Sequence, residues 1–316
     1  MKKIIILDGF TTNPGDITWE PFEKLGDTQI HEYTRRADVI ERCKGNEIII
    51  SNKTVFTREI LEQLEGVKYI GLISTGYNVV DVKAASELGI TVTFVPTYGT
   101  EAVAQHTFAL LLELANHIAV HSNAVHEGKW RDHRKFCFWT APLTELTGKT
   151  IGIIGYGRIG REVSKIAKAF GMKVMFYSYR DMGECEAEQV DLDTLLKNSD
   201  VVSLHCPLND KTSGIINKEN ISKMKETAFL INTARGGLVV DEDLAEALNN
   251  DVIAGAGLDV MSTEPPSEDN PLLIAKNCVI TPHIAWAAIE TRKRLIQYAA
   301  DNLSAYLSGN PINIAK

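Results

Sequence analysis

Four polar side chains in the C-terminal half of the sequence have the right types for acid–base chemistry at a carbonyl group. Arg235, Asp259, Glu264 and His283 each follow an apolar, strand-like run. An arginine holds a carboxylate or carbonyl by paired hydrogen bonds, a histidine donates a proton, and a neighbouring carboxylate orients that histidine. Open α/β sheets bind ligands beyond the carboxyl ends of their strands, so we expect the four side chains near one crevice. A single arginine or histidine at a strand end is more often a surface or capping residue, so the hypothesis depends on the whole set.

A glycine-rich motif predicts what binds beside this set. Residues Thr150–Gly160 read as an apolar strand, then G-x-G-x-x-G, then the start of a helix. Gly155 allows the tight turn, Gly157 lets the main chain approach a pyrophosphate, and Gly160 lets the helix pack close to the strand. The phosphates then lie at the helix N-terminus, where free N–H groups and the helix dipole favour anions. Dinucleotide binding is therefore favoured over a simple turn, and with a hydride donor the set above suits reduction of a 2-keto acid.

The end of the second strand of this unit bears on which dinucleotide binds. An acid that binds the adenosine ribose is expected about 20 residues after the first glycine. Ser178 occupies that place and is followed by Tyr179 and Arg180. A missing acid with an adjacent arginine accommodates a 2′-phosphate, which favours NADP over NAD. Two alternatives stay open: Asp181 takes the place of the acid, or Arg180 stacks on the adenine.

The elements that must position these residues alternate along the whole chain. Short β-branched runs are spaced by helical patterns, which predicts parallel sheets covered on both faces. Two such series in 316 residues predict two doubly wound α/β domains of the Rossmann or flavodoxin-like type, at ~150 residues per domain. The predicted strands are Lys3–Leu7, Glu47–Ser51, Lys68–Ile73, Thr91–Val95, Thr150–Ile154, Lys173–Tyr177, Val201–Leu204, Ala228–Ile231, Val252–Gly255 and Cys278–Thr281.

Two long helices complete the predicted architecture. A dense apolar pattern from about Thr100 predicts a buried helix between the two strand series. The final segment, Thr291–Leu307, is also helical by the spacing of its apolar residues. It has no strand series of its own to cover, so we expect it to return to the first domain and make that domain discontinuous.

Composition argues against several other classes. The net charge is −8, from 33 Lys and Arg against 41 Asp and Glu, which argues against nucleic-acid and anionic-membrane partners. Five scattered cysteines without Cys-x-x-Cys argue against a disulfide framework or structural zinc. His117 and His121 have the spacing of a metal pair but lack a third ligand in register, so no metal is expected. No apolar run is long enough for a signal peptide or a membrane span, which indicates the cytoplasm.

Over essentially its whole length the sequence resembles the D-isomer-specific 2-hydroxyacid dehydrogenases. The matching stretches are Gly155–Gly160, Leu204–Leu208, Asn232–Gly237, Gly257–Pro265 and Thr281–Ile284. The resemblance implies that Arg235 binds the keto acid, His283 is the acid/base, and Glu264 pairs with His283. It also implies that Thr233 and Asp259 touch the nicotinamide end of the cofactor.

The resemblance further implies a division of labour between domains. A substrate domain would comprise residues 1–99 plus 284–316, and an inserted Rossmann domain would comprise residues 100–283. The stretch from Ser74 through Thr75 and Gly76 to Asn78 matches the loop whose main-chain N–H groups receive the substrate carboxylate. The alternative for this stretch is a simple turn.

Two aromatic stretches resemble the glycerate dehydrogenase (hydroxypyruvate reductase) branch of the family. They are Phe136–Trp139 and His283–Ala287. By this resemblance Trp139 would lie near an active site, that of the partner subunit in a homodimer, and Trp286 would add apolar bulk beside the histidine. The alternative for both tryptophans is interface or core packing. Ser178 departs from the family pattern, as does Gln105, which stands where the family often has Glu.

The prediction is an NAD(P)-dependent oxidoreductase that converts hydroxypyruvate or glyoxylate to the D-2-hydroxy acid. The alternative is a dinucleotide-sensing binding protein that resembles the corepressors with this fold. Predicted cofactor-binding residues are Gly155, Gly157, Arg158, Ile159, Gly160, Ser178, Arg180, Pro207, Thr233 and Asp259. Predicted substrate-binding residues are Ser74, Thr75, Gly76, Trp139 and Arg235.

Overall fold

The computed structural model describes residues 2–132 and 135–316, and the chain divides into two compact units. The first unit contains Met1–Gly99 and Ala287–Lys316, and the second contains Thr100–Trp286. Each unit is built on one all-parallel sheet whose connections include helices. The predicted α/β class with two parallel sheets is therefore confirmed.

The elements are numbered in chain order. The strands are β1 (Lys3–Ile6), β2 (Asp27–Ile30), β3 (Ile48–Ser51), β4 (Tyr69–Leu72), β5 (Thr91–Thr93), β6 (Thr150–Ile154), β7 (Lys173–Tyr177), β8 (Glu188–Gln189), β9 (Val201–Leu204), β10 (Phe229–Asn232), β11 (Gly255–Leu258) and β12 (Cys278–Ile280). The helices are α1 (Glu20–Glu23), α2 (Val39–Cys43), α3 (Arg58–Leu61), α4 (Val82–Glu87), α5 (Thr100–Asn116), α6 (Ile118–His126), α7 (Lys129–Asp132), α8 (Arg158–Ala169), α9 (Leu192–Asn198), α10 (Lys218–Ile221), α11 (Asp241–Asn249) and α12 (Ile289–Leu307).

The first unit has a five-stranded sheet in the order β2-β1-β3-β4-β5. The isoleucine-rich strands β1 and β3 are buried, in register from Ile4 opposite Ile48, as expected for central parallel strands. Helix α12 belongs to this unit: Asn302 Nδ2 donates to the main-chain oxygen of Phe94 at 2.9 Å. Strand β2 was not predicted, because its residues Asp-Thr-Gln-Ile lie at the sheet edge, are largely exposed, and give no apolar run.

The second unit has a seven-stranded sheet in the order β12-β11-β10-β9-β6-β7-β8. The chain starts this sheet in the middle at β6, adds β7 and β8 on one side, and then returns to add β9 to β12 on the other. Such a reversal opens a crevice beyond the carboxyl end of the first strand, where ligands of open α/β sheets bind. The glycine-rich motif follows β6 and therefore lies at this reversal.

One predicted strand was wrong in position. In the expected run Val252–Gly255, residues 252–254 form a bend, and the strand is β11, Gly255–Leu258. Its residues Gly-Ala-Gly-Leu contain no β-branched side chain, because α5 packs directly against them. A Cβ atom at Gly257 would lie 2.9 Å from the Cβ of Leu110 on α5. Because α5 lies so close, β11 requires small residues and therefore lacks the run of β-branched side chains by which a buried strand is predicted.

Helix α5 begins at Thr100, as predicted, and buries one face, including Phe108 and Leu111, against the second sheet. Within the described ranges, no helix combines the length and the apolar character required to cross a membrane. The same residues contain no group of three or more His, Cys, Asp or Glu placed to hold a metal ion.

Candidate active site

Three neighbouring strands of the second sheet position the predicted catalytic residues. Arg235 follows β10, Glu264 follows β11, and His283 follows β12, and these strands pair in that order in parallel register. The carboxyl ends of parallel strands share one sheet edge, so all three residues leave the sheet on the same side.

Glu264 and His283 form a direct pair. The Nδ1 atom of His283 lies 2.6 Å from Oε2 of Glu264, and the main-chain N–H of Met261 donates to the other carboxylate oxygen, Oε1, at 3.1 Å. An ionised carboxylate can only accept hydrogen bonds, so Nδ1 of His283 carries the proton. That leaves Nε2 as the ring nitrogen that can exchange a proton with another molecule. Both side chains keep about a third of their surface exposed, at 31% and 37%.

The main chain at His283 is held in an unusual conformation. Its φ angle is 55°, in the left-handed region that non-glycine residues rarely adopt. The N–H of His283 donates to the main-chain oxygen of Asp259 at 2.8 Å, and its carbonyl accepts a bond from the indole Nε1 of Trp286 at 2.9 Å. Such a conformation persists when its surroundings fix it, and here these bonds to Asp259 and Trp286 contribute to that.

The carboxylate of Asp259 holds the segment that follows β12. It is 1% exposed and accepts from the Thr281 hydroxyl at 2.6 Å and from the N–H groups of Ile284 and Ala285 at 2.9 and 2.8 Å. These donors lie on both sides of His283 in the sequence. The structure therefore places the Asp259 carboxylate against residues 281–285, here called the histidine turn. Both of its oxygens accept hydrogen bonds from this segment.

Arg235 projects from a turn built by a buried asparagine. Asn232 Oδ1 accepts from the N–H of Ala234 at 3.0 Å, and its Nδ2 donates to the carbonyl of Arg235 at 2.9 Å. The guanidinium of Arg235 is exposed and donates through Nη1 to the carbonyl of Ala234 at 2.7 Å. The Asn232 side chain therefore holds the turn from which the exposed guanidinium of Arg235 projects at the sheet edge.

The glycine-rich motif has the shape that a pyrophosphate needs. Gly155 adopts a φ of +97°, and a Cβ atom there would lie 2.5 Å from the main-chain nitrogen of Cys206, so only glycine fits. Beside it, a Cβ atom at Gly157 would meet no protein atom within 4 Å. Gly157 is the N-cap residue of α8 and makes no side-chain hydrogen bond to the first turn of the helix. This end of α8 fits a phosphate-bearing ligand.

The loop after β7 carries the predicted 2′-phosphate residues Ser178 and Arg180. Gln189 on β8 donates from Nε2 to the carbonyl oxygens of both residues, at 3.3 and 2.9 Å. The hydroxyl of Tyr179 donates to the carbonyl of Lys211, whose ammonium lies 6.0 Å from the Tyr179 ring centroid. Two cationic side chains, Arg180 and Lys211, therefore belong to loops that contact each other.

The remaining predicted cofactor residues lie on strand ends near β6. Thr233 is buried at the end of β10, where its hydroxyl lies 3.0 Å from that of Thr107 on α5. Pro207 is exposed and follows β9 after His205 and Cys206. The Nε2 atom of His205 lies 2.8 Å from the Ser203 hydroxyl, and burial lowers the pKa of His205 to about 3. His205 is therefore neutral at physiological pH.

The loop Ser74–Gly76 lies in the first unit and follows β4. The Ser74 hydroxyl donates to the carbonyl of Gly76 at 2.7 Å, and the Thr75 hydroxyl donates to the carbonyl of Val95 at 2.8 Å. Within the described part of the chain, the main-chain N–H groups of Thr75 and Gly76 donate to no main-chain oxygen. Trp139 lies in the second unit and is 67% exposed.

Sequence reasoning gave no role to several side chains that build this site. Asn232 and Thr281 lie inside the quoted motifs, whereas His106 and Gln189 lie outside them. A polar amide or hydroxyl at the end of an apolar, strand-like run was the available signal for the first two. No sequence motif connects His106 with Thr281, which is 175 residues away, or Gln189 with Ser178, which is 11 residues away.

Comparison with known proteins accounts for this arrangement. Residues 108–285 match the model of the D-isomer specific 2-hydroxyacid dehydrogenase NAD binding domain. The chain is 50% identical over 318 residues to a hydroxypyruvate reductase of Blautia hydrogenotrophica, covering 99% of both chains. It is 38% identical over 318 residues to a glycerate dehydrogenase of Methylorubrum extorquens, covering 100% of this chain and 99% of that one.

A solved structure gives the same result. An acyclic imino acid reductase in complex with NADPH and D-Arg superposes with a TM-score of 0.86 at 32% identity, covering 99% of this chain and 100% of that one. The similarity therefore extends to the whole fold. The chain belongs to the D-isomer specific 2-hydroxyacid dehydrogenase family of NAD(P)-dependent oxidoreductases.

Proposed function

We propose that the protein reduces hydroxypyruvate or glyoxylate to the D-2-hydroxy acid, with His283 as the proton donor. The observation that carries this proposal is the 2.6 Å pair of His283 and Glu264 on the strand ends next to Arg235. The relatives named hydroxypyruvate reductase and glycerate dehydrogenase support the substrate class.

The chemistry divides among few groups. When bound, the reduced nicotinamide supplies the hydride that the keto carbon accepts. His283 donates the proton from Nε2 to the keto oxygen, so that a C=O group, a hydride and a proton become CH–OH. Glu264 stabilises the imidazolium before this transfer and keeps the proton of the neutral ring on Nδ1.

The substrate carboxylate is the group that Arg235 is suited to hold. A guanidinium binds a carboxylate through two parallel N–H bonds. We propose that the main-chain N–H groups of Thr75 and Gly76, in the first unit, are donors suited to a carboxylate. In this assignment the first unit is the substrate domain and the second is the dinucleotide-binding domain.

We propose NADPH as the preferred cofactor. Ser178 lacks the carboxylate that would repel a 2′-phosphate, and Arg180 and Lys211 supply two cations on contacting loops. The NADPH-bound imino acid reductase supports this choice within the same fold. We also propose a homodimer in which Trp139 is covered by the partner subunit. The cytoplasmic location stays a prediction.

The test is oxidation of NADPH and NADH by hydroxypyruvate and by glyoxylate, for the wild-type protein and Arg180→Ala. We expect a higher kcat/KM with NADPH. Loss of a charge-assisted contact in Arg180→Ala is expected to lower kcat/KM for NADPH ~10-fold and leave that for NADH unchanged. Arg36→Ala, which removes an exposed arginine of the first unit, is the control and is expected to change neither.

The outcomes separate the parts of the proposal. A preference for NADH, with Arg180→Ala equal to wild type, would contradict the assignment of the 2′-phosphate site and keep the reductase. Binding of either dinucleotide without turnover of any 2-keto acid would instead favour the dinucleotide-sensing alternative.

A further inference from the structure

A histidine outside the predicted site contacts the segment that carries His283. His106 lies on α5, with 20% of its side chain exposed. Its Nε2 atom is 2.9 Å from the hydroxyl oxygen of Thr281 and 3.5 Å from Oδ1 of Asp259. Thr281 is two residues before His283, and Asp259 accepts the bonds on both sides of it. His106 therefore contacts Thr281 and Asp259, two of the groups that hold the turn around His283.

The hydrogen bonds in this cluster can run in one direction only. The Asp259 carboxylate accepts, so the single hydroxyl proton of Thr281 points to Asp259 Oδ1 at 2.6 Å. The Thr281 oxygen must then accept from His106, which places a proton on Nε2 of His106. The chain of donors runs from His106 through Thr281 to Asp259.

This series of hydrogen bonds fixes the orientation of the Thr281 hydroxyl. Without a donor at His106, the Thr281 oxygen lacks its partner on α5 while the strand end keeps its own main-chain bonds, such as that from the Thr281 N–H to the Leu258 carbonyl at 2.8 Å. The unit would remain folded, but the side-chain tie between α5 and the turn would be lost. Catalytic geometry is sensitive to such changes, because a displacement of about 1 Å can cost ~10²-fold in rate.

We propose that His106 is a positioning residue for His283 and acts through the Thr281 hydroxyl and the Asp259 carboxylate. The proposal rests on the proposed function for the role of His283. It requires a donor at the place of Nε2, and a polar group at the place of Nδ1 would not meet the requirement.

Two amide substitutions test this requirement against each other. The side-chain nitrogen of glutamine reaches the place of Nε2, whereas that of asparagine reaches only the place of Nδ1. We expect His106→Asn to lower the single-turnover rate of keto-acid reduction ~10-fold, with KM for the keto acid and Kd for NADPH within about twofold of wild type. His106→Gln is expected to stay within about twofold of wild type.

A double-mutant cycle tests the route through Thr281. Thr281→Val removes the hydroxyl and keeps the shape of the side chain. If His106 acts through that hydroxyl, His106→Asn is expected to cause no further loss in the Thr281→Val background. If the losses of the two single variants multiply in the double variant, the route is contradicted.

A readout without turnover separates this proposal from the proposed function. Nitrogen-15 spectra of the histidine rings report the Nε2–H form of His106 and the Nδ1–H···Glu264 signal of His283. We expect the His283 signal to move or broaden in His106→Asn and to persist in His106→Gln. An unprotonated Nε2 of His106, or equal His283 signals and rates in both variants with only a common loss of Tm, would overturn the proposal. If no keto acid is turned over, the spectra still decide whether His106 positions His283.

Discussion

The pair of Glu264 and His283 shows how much chemistry one hydrogen bond determines. Because the carboxylate occupies Nδ1, the ring offers Nε2 to a substrate, and because the pair is partly exposed, a small molecule can reach it. The sequence led to both residues through their places after strand-like runs, and the family resemblance assigned them to each other as a pair. It did not lead to the left-handed main chain at His283 or to the role of Asp259 beneath it, since neither leaves a local pattern.

Replacing the charge of Glu264 tests its role. In Glu264→Gln the side-chain oxygen can still accept from Nδ1, but the neutral amide no longer stabilises the imidazolium. We expect kcat for hydroxypyruvate to fall ~10²-fold, with a smaller change in Kd for NADPH, measured by steady-state kinetics and fluorescence titration.

His283→Ala is the reference for this substitution and is expected to lose at least as much, ~10²-fold or more. Activity of Glu264→Gln equal to wild type would show that the carboxylate only orients the ring. An active His283→Ala enzyme would remove His283 from the mechanism.

Among the elements, predictability follows burial. Central strands such as β3 and β6 are buried β-branched runs, and the sequence located them within about one residue. The edge strands β2 and β8 carry Asp, Thr, Gln and Glu and were missed. Strand β11 was displaced because packing against α5 requires small residues there.

The region from α6 onwards presents an apolar surface that suggests contact with another subunit. Its large apolar side chains are between 42% and 92% exposed: Ile118, Val120, Val125, Trp130, Phe136, Trp139 and Leu143. Large apolar patches on a protein surface often mark sites of contact with a partner. This run includes Trp139, which the family resemblance places at a subunit interface.

We expect the protein to sediment as a dimer and the double variant Ile118→Glu/Val125→Glu to sediment as a monomer, because charges would replace apolar contacts on one face of α6. Sedimentation velocity measures both. Leu88→Glu, at a 43% exposed leucine of the first unit, is the control and is expected to stay dimeric. A monomeric wild-type protein would contradict the homodimer proposal.

At the scale of the whole molecule, the ionisation of one histidine links folding to pH. Burial holds the pKa of His205 at about 3, below its ordinary value of 6.5. Below pH ~6.5 the unfolded chain therefore binds a proton that the folded chain does not. The contribution of the neutral His205 to the free energy of unfolding is therefore complete above pH ~6.5 and is lost progressively as the pH falls towards 3.

We expect His205→Gln to flatten the acid side of the stability curve. A glutamine side chain at this position would not titrate, while its amide can still reach the Ser203 hydroxyl. Between pH ~6.5 and ~5.5 the wild-type protein is expected to lose ~1 kcal/mol more unfolding free energy than the variant, measured by urea unfolding. If the free energy of unfolding changes equally with pH in the two proteins, His205 binds a proton as readily in the folded state as in the unfolded chain, and the assignment is contradicted.

The left-handed conformation of His283 sets folding against turnover at a single residue. An L-residue in that region costs about 1 kcal/mol, which glycine would not cost. Most of the chain can gain stability without losing function, but here the stabler main chain belongs to a residue that cannot transfer a proton. His283→Gly would relieve that cost while losing the bond to Glu264, so under the mechanism proposed above a screen for thermal resistance alone can enrich folded proteins that do not reduce a keto acid. Screening this protein for stability therefore needs turnover as a second criterion.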